Sequence, residues 1–281
     1  MRFSLNLALE GKRLDLPARW RGWPAIFVAL LAASALLFLA LPWSFEGKSL
    51  AVLHGICAQQ PSHSFYFGDG RLPFDARMTG IYGGFLVASV ILFALGRWRA
   101  ARLPPVAVLV LIGALILPLS VDGVNSTAND MYGWSLYPPQ NELRLVTGLL
   151  AGITLAGFVW MLIGQVGFQR AASKPEPFVR NLREIGLILA AQAVFAALVL
   201  TGWESLRVPL SLALLAAAIA ALTGLMLGFV LLFTRRENQA ADSLQLAGPA
   251  SAALLCAFLL LAATSGSRFL LEAIVGVPTT V

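Results

Sequence analysis

Seven stretches of this chain run for about 18 or more residues with almost no charge, and this pattern restricts its fold more than any other feature. A helix needs roughly 20 apolar residues to cross about 30 Å of hydrocarbon, and only helices and closed barrels satisfy every backbone polar group inside lipid. The stretches predict helices over 24–42, 78–96, 104–121, 145–166, 184–202, 208–233 and 248–265. Composition agrees: of 281 residues 58% are hydrophobic and 12% charged, against about a quarter charged in soluble domains. The fold class is an all-α integral membrane protein with about seven transmembrane helices. The first stretch, PAIFVALLAASALLFLALP, exceeds a signal-peptide core in length, and no small-x-small site precedes Trp43. It is expected to be retained, with Trp20, Trp23 and Trp43 as interfacial anchors. The fifth and sixth stretches, separated only by WESLR, predict a tight helical hairpin.

The basic residues set an orientation. Arg2, Lys12, Arg13, Arg19 and Arg21 precede the first helix, and every second connection afterwards is basic: Arg97, Arg99 and Arg102, then Arg170, Lys174, Arg180 and Arg183, then Arg235 and Arg236. The alternate connections are poorer, with Arg144 and Arg207 as the basic residues of two of them. By the positive-inside rule the N-terminus is cytoplasmic and the C-terminus extracytoplasmic, in a cytoplasmic (inner) membrane. The net charge of +6 therefore reflects topology and anionic headgroups, and the bilayer, not nucleic acid, is the expected partner. The chain divides into a cytoplasmic segment 1–23, a first helix 24–42, a motif-bearing region 43–166 with three helices, and a region 167–281 with three more and a short tail.

Reactive side chains are scarce and concentrated. Both histidines, His54 and His63, lie in HGICAQQPSHSF with one of the two cysteines, Cys57. The preceding residues predict a surface helix, SLAVLHGICAQQ, stopped by Pro61, on which His54 and Cys57 are three apart and share a face. Imidazole and thiolate are the usual protein ligands of zinc and copper, so His54, Cys57, His63 and Asp75 form a candidate metal set. The alternative is a surface helix whose histidines bond loop carbonyls and whose cysteine packs as a small apolar residue.

Two further patterns stand nearby. DARMTGIYGG and LRLVTGLLAG each place an arginine, Arg77 or Arg144, before Thr-Gly-x-x-x-Gly, giving Gly80 and Gly84 in one helix and Gly148 and Gly152 in another. Glycines four apart let helix backbones approach closely, and the echo suggests an internal pseudo-repeat. In PLSVDGVNS, Asp122 falls at the expected end of the third helix, where a carboxylate needs a partner or water. Arg77 and Arg144 are its natural partners, and Glu142 is a second candidate for Arg144. Arg77, Asp122, Arg144 and Gln59 are the expected ligand-binding residues. The chain lacks a phosphate loop, a Rossmann fingerprint, a nucleophile elbow and a His-Glu-x-x-His motif, and no charge falls near a predicted midplane.

His54, Cys57, Gln59, Pro61, Ser64 and Phe65, then Arg77, Thr79, Gly80, Ile81 and Tyr82, then Asp122 and Gly123, then Arg144, Thr147 and Gly148 together resemble a family of bacterial polytopic membrane proteins, domain of unknown function 2085. The family pattern carries a Cys-x-x-Cys pair where this chain has Asp75 and Met78. The resemblance implies a His/Cys constellation for zinc, copper or redox chemistry. Here two of its four members are replaced, although Asp75 can ligate zinc and Met78 copper(I). Three readings of function follow: a protein binding an ion, small ligand or partner at its extracytoplasmic face; a metal- or redox-dependent membrane enzyme using His54, Cys57, His63 and Asp75; or an accessory or assembly subunit of a larger membrane complex, docked through residues 43–77.

Overall fold

The computed structural model describes residues 22–276, so nearly all of the segment 1–23, Trp20 included, lies outside the described residues. In chain order the elements are α1 (Trp23–Ala40), α2 (Phe45–Leu53), β1 (Ser64–Phe67), β2 (Gly70–Asp75), α3 (Ala76–Ala94), β3 (Ala100–Arg102), α4 (Val106–Ala114), α5 (Leu117–Tyr132), α6 (Asn141–Leu162), β4 (Lys174–Pro177), α7 (Leu182–Leu200), α8 (Glu204–Phe233) and α9 (Ala247–Val275). Seven helical segments are long and apolar enough to cross a membrane, and each overlaps one predicted stretch. The chain is a multi-pass α-helical membrane protein.

At the centre α3 crosses α6, the most extensive helix contact in the molecule. The glycines make it possible. A Cβ on Gly80 would lie 2.3 Å from the Leu145 carbonyl, and one on Gly148 would lie 2.4 Å from the Arg77 carbonyl. One turn on, Gly84 faces the Leu149 carbonyl at 2.4 Å and Gly152 the Ile81 carbonyl at 2.6 Å. In all four cases the carbonyl met stands three residues before the opposite glycine, so the crossing is locally two-fold symmetric and the helices run parallel. The two Thr-Gly-x-x-x-Gly segments thus pack against each other. On α8, Gly224 and Gly228 receive Val159 and Leu162 of α6.

The short connection between α7 and α8 does not make them a packed pair, which corrects the expected tight hairpin. α7 leans on α3 and α6 instead, while α8 packs on α9, α3 and α6. Two features draw α7 there. Phe195 fills the space over Gly83, and buried Gln192 donates from Nε2 to the Gly84 and Leu149 carbonyls at 3.3 and 2.9 Å.

The third span breaks between α4 and α5, where Pro118 lacks an N–H and its ring opposes the carbonyl four residues back. The chain then continues as helix to Tyr132 and ends on Gly133 at φ 65°. Residues 122–144, the connection between the third and fourth predicted helices, are therefore mostly helical. Asp122, Asn125 and Ser126 fall at helical spacing on one buried face, where other groups of the protein hydrogen-bond them.

Residues 43–77 also differ from expectation. α2 starts earlier, capped by Ser44, whose Oγ accepts from the Gly47 N–H, and it ends at Leu53, before His54. Beyond it β1 and β2 form an antiparallel hairpin with Ser64 opposite Asp75, turning at Gly68 with φ 63°. Phe67, Leu72 and Phe74 are fully buried and pack with Leu53, Leu145 and Leu214, so the hairpin lids one end of α3, α6 and α8. Asp75 closes β2 and caps α3, its Oδ1 accepting from the Met78 N–H at 2.9 Å. The last helix, α9, runs to Val275, well past the expected end at 265. The opposite end of the bundle is held by Arg97, which bonds Glu176 and Glu184 at 2.6 Å each, and by Arg99, which bonds Asp242 at 3.1 Å.

Candidate functional site

The polar side chains of the hairpin end form two networks. In the first, α3, α5 and α6 meet. Asp122 on α5 is fully buried, and its Oδ2 accepts from Arg77 of α3 at 2.8 Å. The same guanidinium nitrogen donates to Ser126 Oγ at 3.1 Å, while Arg77 Nε is buried with no hydrogen-bond partner among the described residues. Tyr137 donates its hydroxyl to Asp122 Oδ1 at 3.3 Å. Partial burial and the neighbouring carboxylate hold this phenol above its usual value, so it keeps the proton it donates. Asn125 folds residues 133–140 back onto α5, accepting from the Leu136 N–H at 2.7 Å and donating to the Tyr137 carbonyl at 2.9 Å.

Arg144 of α6 stands beside this pair, and only 4% of it is exposed. It donates to Asn141 Oδ1 at 2.9 Å and to His63 Nε2 at 3.2 Å, and it forms no ion pair with Asp122 or Glu142. His63 must be neutral at Nε2 to accept. Burial, then the Arg144 charge, lower its pKa from 6.5. Protonating the native imidazole is thus harder than protonating the unfolded one, so stability is complete above pH 6.5 and falls as pH drops below it. Thermal unfolding in detergent should show this loss on acidification, and His63→Gln, which cannot titrate, should show less of it. Equal acid sensitivity in the two proteins would remove His63 from the account.

The second network clamps residues 52–59 onto α9. Gln59, at φ 55° and 1% exposed, donates from Nε2 to the Leu50 and Pro73 carbonyls at 2.9 and 3.1 Å. Those two acceptors fix its amide, so Oε1 faces His54 Nδ1 at 3.1 Å and that nitrogen must donate. His54 Nε2 lies 2.8 Å from Glu272 Oε2, and one proton is held between them. Arg268 pairs with Glu272 Oε1 at 2.8 Å and donates to the carbonyls of His54, Cys57 and Ala58. Phe269 stacks on the His54 ring at 4.2 Å, and Ser265 Oγ receives the Gly55 N–H at 2.9 Å.

The four expected metal ligands do not converge, and no group of three or more His, Cys, Asp or Glu side chains among the described residues could hold a metal ion. The helix expected to align His54 with Cys57 stops at Leu53, so the two point apart: His54 toward Glu272, Cys57 toward the Asp75 N–H, which its Sγ accepts at 3.3 Å. Burial, with the Asp75 carboxylate adding to it, pushes the Cys57 thiol far above its usual value, so it is held as a thiol. Asp75 caps α3 with its carboxylate also against the Cys57 thiol, but His63 receives Arg144 and His54 turns to Glu272, so no third ligand joins them. The donors do not fit zinc or copper as one site. Gln59, expected among the ligand-binding residues, is fully engaged with the chain itself.

Arg268, Glu272, Tyr137 and Asn141 did not stand out in the sequence. The signal for the first two was an arginine and a glutamate four apart after the last apolar run, the spacing of an ion pair on one helix face. Tyr137 and Asn141 flank the connection into α6 and carry no comparable pattern.

Fold and site together define a multi-pass membrane protein with a lidded, charge-lined end. The family model described as "Predicted membrane protein (DUF2085)" matches residues 57–158, the stretch from Cys57 through most of α6. An uncharacterized protein of the archaeon Methanocaldococcus jannaschii is 30% identical over 118 residues, which is 42% of this chain and 70% of that relative. The chain belongs to this family of predicted membrane proteins. No solved structure matches it. The relative is archaeal, so the family is not confined to bacteria as the motif resemblance implied. Arg77, Asp122 and Arg144 lie inside the matched segment; His54, Arg268 and Glu272 lie outside it.

Proposed function

We propose that this protein binds a small anionic group at the hairpin end, between the first turns of α3 and α6, and that this end is extracytoplasmic. One observation carries the reading: Arg144 is buried, yet its two side-chain partners, Asn141 and His63, are neutral. A buried guanidinium that hydrogen-bonds no carboxylate is costly, even with Asp122, Asp130 and Asp75 acting on it through space, and a bound anion would supply a direct charge partner. Asp122 is already taken by Arg77, whose own Nε has no acceptor among the described residues. The orientation rests on the basic residues, since Arg97, Arg99, Arg102, Arg170, Lys174, Arg180, Arg183, Arg235 and Arg236 gather at the opposite end. A cytoplasmic membrane follows from the same rule.

The test is thermal stability of the purified protein in detergent with rising inorganic phosphate or acetate, compared with chloride at equal ionic strength. Wild type should be stabilised by one of the two, and Arg144→Gln should lose the response while melting no lower than the unliganded wild type. Wild type that responds to neither anion, or Arg144→Gln that responds like wild type, overturns the reading.

A further inference from the structure

A cavity of about 190 Å³ with charged and polar groups in its wall lies between α2, β2 and the start of α8. We propose that it is a separate site for a phosphate-type monoanion, that of a lipid headgroup. The walls include Glu46, Arg71, Arg207 and Ser211. Arg71 is engaged by the chain, its Nη1 donating to the Gln59 carbonyl at 2.7 Å, so the cation on offer is Arg207, whose charge a phosphodiester would neutralise. Glu46 does not saturate Arg207: its Oε2 stands 3.8 Å from Arg207 Nη1, beyond hydrogen-bond reach. Arg207 makes no hydrogen bond among the described residues, and neither does the hydroxyl of Ser211, although Ser211 is only 2% exposed and lines the cavity. Arg207 and Ser211 are four apart on α8, so they present a guanidinium fork and a hydroxyl on one face, which is the donor set a phosphate takes. Gly70 admits the guanidinium: a Cβ there would lie 1.6 Å from Arg207 Nη1.

Depth selects the source. Exposed Trp43 immediately precedes Ser44 and Phe45 on the wall, and exposed Trp203 immediately precedes the helix that carries Arg207. Exposed tryptophans mark the membrane–water interface, so the cavity opens at headgroup level. The space is several times the roughly 30 Å³ share of one liquid water.

Native mass spectrometry and thermal unfolding of the full chain in detergent decide the matter, with phosphatidylglycerol, phosphatidylcholine or inorganic phosphate added. Phosphatidylglycerol should be retained over phosphatidylcholine by wild type and equally by Arg144→Gln, which separates this site from the one proposed above. Arg207→Gln and Ser211→Val should bind it roughly tenfold or more weakly, and Arg207→Lys should keep much of the binding. If inorganic phosphate instead gives an Arg207-dependent stabilisation and the two lipids do not differ, the anion site stands and its source is free phosphate. If neither probe responds, or if both respond unchanged in Arg207→Gln and Ser211→Val, the proposal is wrong. Ser211→Val keeps the test open should Arg207→Gln fail to fold.

Discussion

Gly148→Val should abolish most of the folded protein. A Cβ alone would stand 2.4 Å from the Arg77 carbonyl and 2.9 Å from the Gly80 Cα, and both obstacles are backbone. Neither can rotate away, so α3 and α6 must separate, and the contacts along the whole crossing go with them. Overpacking a rigid core costs about 1–3 kcal/mol where side chains can yield; here none can, so the loss should exceed that range. Membrane helices gain little from hydrophobic exclusion between themselves, so nothing else replaces this close approach. Size-exclusion profiles in detergent check it: the variant should aggregate or disappear. Gly186→Ala is the control, because a Cβ there meets nothing within 4 Å. It should fold normally and gain up to about 1 kcal/mol from helix propensity. A monodisperse Gly148→Val with wild-type melting would refute the parallel glycine crossing.

The second large effect falls on Asp122. Asp122→Ala removes the carboxylate from a pair in which one partner is fully buried, leaving Arg77 without its counter-ion and Tyr137 without its acceptor. Breaking such a pair from one side typically costs about 3–5 kcal/mol. The expected cost lies toward the lower end, because the Arg77 side chain is 26% exposed and water screens the orphaned charge. Asp122→Ala combined with Arg77→Met should recover part of the loss, since the stranded charge then goes too. Denaturation in detergent reads both. Equal stability of Asp122→Ala and wild type would mean that the ion pair contributes nothing.

The spans were legible because lipid imposes one length and one secondary structure on any chain that crosses it. The glycine pairs were legible for a related reason: Gly80, Gly84, Gly148 and Gly152 repeat a spacing with a single strong use. Their mutual contact followed from the repeat only once both helices were known to start at the same end. The partnership of Arg77 with Asp122 could be foreseen from charge and depth. What could not be foreseen was long-range and aqueous. The hairpin of β1 and β2 is short, and its buried residues are spread over Phe67, Leu72 and Phe74 without a long alternation. His54 meets Glu272 across more than two hundred positions, and no local pattern announces such a distance. The supposed metal set failed on local grounds. Scarcity of reactive side chains drew His54, Cys57 and His63 together in the sequence, but the chain spends each on a different neighbour: the start of α3, the side of α6 and the end of α9.

The parallel crossing also has an electrical consequence. Each helix carries about half a positive charge at its N-terminus from its aligned peptide dipoles. Antiparallel neighbours cancel such ends, whereas α3 and α6 bring theirs together at the level of Arg77 and Arg144. Asp75 at the cap of α3 and Glu142 in the first turn of α6 answer this partial charge locally. The backbone itself therefore adds to the positive potential at the hairpin end, and an approaching anion would feel a field that no count of lysines and arginines records.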